Sequence, residues 1–117
     1  MKKEIADMWV KALRSGKYGQ AQGRLAEAGN SFCCLGVLCS LAPQEVGEFI
    51  GDLFIYTNSE GNEAGEREKL PRPVREWSGV KGSYGERFTK FSLADLNDYG
   101  KTFAEIADII ESEWELL

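Results

Sequence analysis

The chain has 117 residues with 14 basic and 19 acidic side chains, no histidine and a net charge of −5; 43% of its residues are hydrophobic. That length suits one hydrophobic core, so a single domain over residues 1–117 is expected, and the composition excludes a disordered chain. The acidic balance disfavours duplex DNA as a partner, because non-specific affinity for DNA is largely phosphate neutralisation.

Ile5, Met8, Trp9, Ala12 and Leu13 follow helical spacing and predict an amphipathic helix ended by Ser15-Gly16. The segment Gln20 to Glu27 reads as extended. Ala28-Gly29-Asn30-Ser31 is a turn signal, so a hairpin is expected with Phe32 opening its second strand. The run Phe32-Cys33-Cys34-Leu35-Gly36-Val37-Leu38-Cys39 predicts a short buried helix from about Cys34 to Ala42, because Pro43 follows it; a buried strand has the same apolar signature. Val46, Phe49 and Ile50 suggest a helical turn before a buried strand at Leu53 to Thr57, and Asn58 to Glu68 reads as a surface loop.

Prolines 71 and 73 are tolerated in a first helical turn, so a short helix is expected to carry Val74 and Trp77 inward. The glycines of Gly79 to Gly85 mark a second loop. Ser92 caps a helix that Gly100 ends, and Thr102-Phe103-Ala104-Glu105 is a capping box opening a helix with Ile106, Ala107, Ile110, Trp114 and Leu117 on one face. The sum is a compact α+β domain, dominated by helices, with one small antiparallel sheet and a C-terminal helical hairpin.

Charge is distributed in blocks. Residues 1–24 carry six basic and two acidic groups, 25–66 none and seven, 67–90 seven and three, and 91–117 one and seven. Such alternation arises when neighbouring blocks fold against each other or form solvated faces, or when two basic blocks converge on one anionic ligand.

The three cysteines do not make a metal site, since Cys33 and Cys34 are adjacent and no second pair exists. A cysteine nucleophile would need a cationic neighbour, and none is local. Buried structural thiols are expected, with Gly36 allowing another backbone to pack closely. No histidine is available as a general base, and neither phosphate-binding glycine motif is present, so neither catalysis nor a cofactor is expected. Leu93 to Glu111 has a helix-turn-helix outline, but its second helix presents Glu105, Asp108 and Glu111 where a DNA reader needs donors.

Two features favour an anion. Lys101 and Thr102 stand at a helix N-terminus, where backbone N–H groups receive negative charge. The second basic block interleaves cations with aromatics, from Arg67 and Lys69 through Arg72, Arg75, Trp77, Lys81, Tyr84, Arg87 and Phe88 to Lys90 and Phe91. Guanidinium groups for phosphates and rings for stacking are what a nucleotide site requires.

The stretches Phe32 to Cys39, Leu70 to Trp77 and Leu96 to Ile110, which read F-C-C-L-G-V-L-C, L-P-x-x-V-R-E-W and L-N-D-x-G-K-T-F-x-E-I-A-D-x-I, resemble small proteins of tailed phages and prophages. That resemblance implies an accessory gene product acting in the host bacterial cytosol, of the kind that often counters host defence, and it carries over no functional residues. The leading expectation is a non-enzymatic, oligomeric protein that sequesters a small anionic ligand, a cyclic or nucleotide-derived second messenger. Arg24, Arg72, Arg75, Arg87, Lys101 and Thr102 are the expected phosphate contacts, and Trp77, Tyr84 and Tyr99 the stacking rings. The alternative is a protein-directed inhibitor of a host enzyme acting through the acidic surface. No apolar run reaches the roughly 20 residues that span a bilayer, and an odd cysteine count suits a reducing compartment, so a cytoplasmic setting without a membrane partner is expected.

Overall fold

The computed structural model describes residues 1–88 and 91–117. Among the described residues, five α-helices and six short strands form an α+β domain in which helices dominate: α1 (Lys3–Arg14), β1 (Gly19–Gln20), β2 (Ala26–Glu27), β3 (Ser31–Phe32), α2 (Cys34–Leu41), β4 (Glu48–Ile50), β5 (Leu53–Thr57), β6 (Glu63–Glu66), α3 (Arg72–Ser78), α4 (Leu93–Asp98) and α5 (Phe103–Glu113). A final 3₁₀ turn covers Trp114–Leu116.

The cysteine run is the centre of the core. It forms the expected helix α2, whose first turn is capped by the Cys33 sulfur accepting the Gly36 N–H at 3.4 Å. A Cβ on Gly36 would run into the Leu25 carbonyl, so the close backbone approach expected of this glycine is made by the segment leading into β2. Trp9 reaches across from α1 and donates its indole N–H to the Cys34 carbonyl at 2.9 Å. All three thiols are free and buried. Burial pushes the Cys33 thiol up to about 11 and the Cys34 and Cys39 thiols well above the ordinary range.

Helix α1 packs mainly on α5 and α2. Its buried face is Ile5, Ala6, Trp9, Val10 and Leu13, while Met8 is 44% exposed. The expected stripe therefore turns by one flank. Positions 5, 9 and 13 belong to both faces; whether 6 and 10 or 8 and 12 join them is fixed by where the neighbouring helices lie.

The strands divide between two three-stranded sheets. In the first, of order β1-β3-β2, the expected hairpin pairs Ala26 with Phe32 across a turn in which Asn30 adopts φ 61°, and β1 adds in parallel. The second, β4-β5-β6, is antiparallel throughout. Two local expectations change here. Val46 closes a turn on Pro43, but Phe49 and Ile50 belong to a strand, because the Gly51-Asp52 turn folds β4 back on β5 and pairs Phe49 with Phe54. Residues 63–66 are a strand instead of loop: β5 offers a free edge, and backbone bonds hold a sequence that has no apolar alternation of its own, with Ile55 opposite Gly65.

The C-terminal helical pair is as expected. Ser92 and Asp95 form a capping box on α4, and Thr102 and Glu105 form another on α5. Leu117 is fully buried and Trp114 packs against the core, so the apolar end of the chain docks on its own domain. Among the described residues, no helix is long and apolar enough to cross a membrane.

Candidate functional site

The charge blocks pair with one another. Arg14 of α1 holds Asp108 at 2.7 Å and Glu111 at 2.9 Å on α5. Arg87 of the third block lies 3.9 Å from Glu113 of the fourth, and within the fourth block Lys101 lies 3.6 Å from Glu105. Much of the acidic face of the last helix is thus matched within the chain. The two basic blocks also meet, at one carboxylate: Arg24 and Arg67 lie 3.6 and 3.5 Å from the same oxygen of Asp52.

The backbone sets this meeting. Leu25 donates its N–H to the Arg67 carbonyl at 2.6 Å, which lays the strand-entry segment alongside the end of β6. Asp52 projects from the β4–β5 turn, where Gly51 adopts φ 64°. The arginine side chains are 57% and 56% exposed, and their closest approaches to Asp52, 3.6 and 3.5 Å, are longer than ordinary hydrogen bonds. A guanidinium carries five N–H donors, so most of the binding capacity of both groups faces outward. These three groups by themselves sum to one positive charge, and the hollows they border also carry Glu27, Glu66, Glu68, Asp95 and Asp98.

Three hollows adjoin the pair. Arg24 and Tyr84 line a small one of about 140 Å³, together with Glu68, Asp95 and Asp98. Arg67, Lys69 and Tyr84 line a second, of about 360 Å³, floored by Leu53 and Gly65. Arg24 and Asp52 also border a third, of about 550 Å³, walled by Phe32 and Phe49. Tyr84 is 41% exposed, and its loop is pinned by backbone bonds from Leu70 to Ser83 at 2.8 Å and from Ala94 to Tyr84 at 3.1 Å.

Of the nine residues expected from sequence, Arg24 and Tyr84 come together here. The remaining seven do not line the small hollow they share. Arg72 is exposed and bonds Glu76 one turn on at 2.8 Å. Arg75 is half-buried, with a buried Nε that finds no hydrogen-bond partner. Trp77 packs against the core. The Arg87 side chain is 6% exposed and donates to the Phe91 carbonyl at 3.3 Å besides facing Glu113. Tyr99 is exposed and stands edge-on to Phe91, ring centres 5.5 Å apart. At the α5 N-terminus, the anion is the chain's own: Glu105 accepts from the Thr102 N–H at 3.0 Å, and these bonds with nearby Lys101 hold its carboxyl below the usual range. Lys90 lies outside the described residues.

Sequence reasoning named Arg67 and Lys69 as members of the second basic block but did not place them at the site, and it missed Asp52 altogether. The signal for Asp52 was the Gly51-Asp52 dipeptide between two apolar runs, a hairpin turn that puts residue 52 at a strand end. Among the described residues, no group of three His, Cys, Asp or Glu is placed to hold a metal ion.

A family model described as a domain of unknown function (DUF8296) matches residues 1–114, and the chain belongs to that family. Comparison with curated proteins and with solved structures finds no match.

Proposed function

We propose that this DUF8296 protein is a non-enzymatic binder of a small phosphate-bearing ligand of nucleotide type, which it sequesters with Arg24 and Arg67 as the phosphate contacts. The observation that carries this reading is the convergence of the two basic blocks on Asp52, with most guanidinium donors left outward. Charge-assisted bonds from guanidinium to phosphate are short, directional and about twice as strong as neutral ones. Lys69 extends the cationic edge, and Tyr84 supplies a ring beside it. Glu68, Asp95 and Asp98 suit the hydroxyl and N–H donors of a sugar or base, and they disfavour a bare polyanion. The two larger hollows, of about 360 and 550 Å³, are of the size that small-molecule sites occupy.

The proposed setting is that of the phage and prophage proteins the sequence resembles: the host cytosol, with an immune second messenger as the ligand. Protein-directed inhibition through the acidic surface has less support, because Arg14 and Lys101 already engage Asp108, Glu111 and Glu105. A thermal-shift screen against linear and cyclic nucleotides tests the reading. At least one should raise the melting temperature of the wild type and lose that effect in an Arg24→Ala, Arg67→Ala double variant; a screen in which no nucleotide stabilises the wild type contradicts it.

A further inference from the structure

We infer that the hollow walled by Phe32 and Phe49 is a ring subsite, and that the ligand therefore carries a flat heterocycle joined to its phosphate. This rests on the phosphate reading above and narrows it, setting aside sugar phosphates and inorganic phosphates as the ligand.

Three observations converge. The first is ring order. Tyr18, Phe32, Phe49 and Phe54 form a continuous edge-to-face series with centroids 5.4, 5.6 and 5.2 Å apart. Phe54 is fully buried and anchors one end, whereas Phe32 and Phe49 in the middle are only partly buried. Rings held by neighbours on their edges keep their orientation before a ligand arrives, so stacking costs little ordering entropy.

The second is shape. The hollow of about 550 Å³ lies between two turns, the hairpin turn at Gly29 and the β4–β5 turn at Gly51, with Ala26 and Ala28 contributing small side chains. Nothing lies within 4 Å of where a Cβ would stand on Gly29 or Gly51, so both turns are open on that side. The two turns belong to different sheets, which makes the hollow a cleft between two hydrogen-bonded units.

The third is continuity. Arg24 and Asp52 line this hollow and also make the arginine–carboxylate meeting with Arg67. A ring seated on Phe49 thus shares its hollow with Arg24, one of the two proposed phosphate contacts. Glu27 also lines this hollow and offers a carboxylate acceptor for ring N–H groups.

The ring and the phosphate can be tested separately. Wild-type protein labelled for amide NMR is titrated with the four common nucleosides, which have a ring and no phosphate, and with ribose phosphate, which has a phosphate and no ring. The inference expects at least one nucleoside to shift the amides of Gly29, Phe49 and Gly51, and expects the matching monophosphate to bind about tenfold or more tightly than ribose phosphate. Phe49→Leu, with folding checked by its amide spectrum, should weaken the monophosphate about fivefold or more while leaving ribose phosphate unchanged. Phe32→Leu is the second variant, should the first not fold. No nucleoside shift at these amides, equal binding of monophosphate and ribose phosphate, or equal weakening of both by the variants overturns the ring subsite. Absence of ribose phosphate and monophosphate binding with nucleoside shifts intact overturns the phosphate reading alone.

Discussion

Asn97 Oδ1 accepts the backbone N–H of Cys34 at 3.1 Å across 63 residues of sequence, in a fully buried position. The same side chain donates from Nδ2 to the Ala21 carbonyl at 2.8 Å, and its Oδ1 also accepts from Gln20 Nε2 at 3.0 Å. The amide thereby joins the start of α2, the strand-entry segment and the end of α4. The neighbouring Asp98 carboxylate holds the same segment just before Arg24, accepting the Gly23 N–H at 2.8 Å.

Replacing Asn97 with Ala should orphan a buried donor and a buried acceptor at once and cost about 2–4 kcal/mol of stability. Urea unfolding measures this. A loss below about 1 kcal/mol would mean that water replaces the amide and that the junction is not a keystone of the fold.

Gly36→Ala should also destabilise, because the added methyl meets the Leu25 carbonyl, a backbone atom held in place by the bond from Cys33 to Leu25 at 3.2 Å. Overpacking of this kind costs about 1–3 kcal/mol and sometimes more. An unchanged melting temperature would contradict the close approach of α2 to the strand segment.

The cysteine run and its glycine were legible as core from sequence because an apolar run bounded by proline has few other uses. The capping boxes at Ser92 and Thr102 were legible because four residues of local chemistry decide them. What was not legible depended on partners far away in the chain. The strand at 63–66 owes its existence to the free edge of β5, and the buried flank of α1 to the positions of α2 and α5. The site followed the same rule: Arg24 was identifiable as a cation among many, whereas its neighbours Arg67 and Asp52 are set by hairpin register. Arg72, Arg75 and Trp77 looked equivalent in composition, yet helix α3 places them elsewhere.

Stability should fall in alkaline solution through the buried thiols. Their folded pKa values are raised, to about 11 for Cys33, above an unfolded value near 8.5. The unfolded chain therefore loses protons first, and stability that is full below about pH 8.5 is lost as pH rises toward and through the folded values. Each thiol contributes a slope of up to about 1.4 kcal/mol per pH unit in that window. Denaturant unfolding of wild type and Cys39→Ala between pH 8 and 11 checks this: the variant should show the shallower decline, and equal slopes would contradict burial of the thiol.

Asp52 competes with the ligand for both arginines, so its neutralisation should help binding. Asp52→Asn keeps the turn and removes the internal counter-ion, and affinity for a nucleotide monophosphate should rise about threefold to tenfold. Calorimetric titration measures the change. A fall in affinity would show that Asp52 positions the arginines more than it competes with the ligand.

The central claim is that Arg24 and Arg67 together hold a phosphate, and phosphorus NMR of a nucleotide monophosphate titrated with the protein tests it most directly. With the wild type, the phosphate resonance should shift and broaden as protein is added, and with the Arg24→Ala, Arg67→Ala double variant it should stay in place. A resonance unmoved by the wild type, or moved equally by the double variant, would contradict the account.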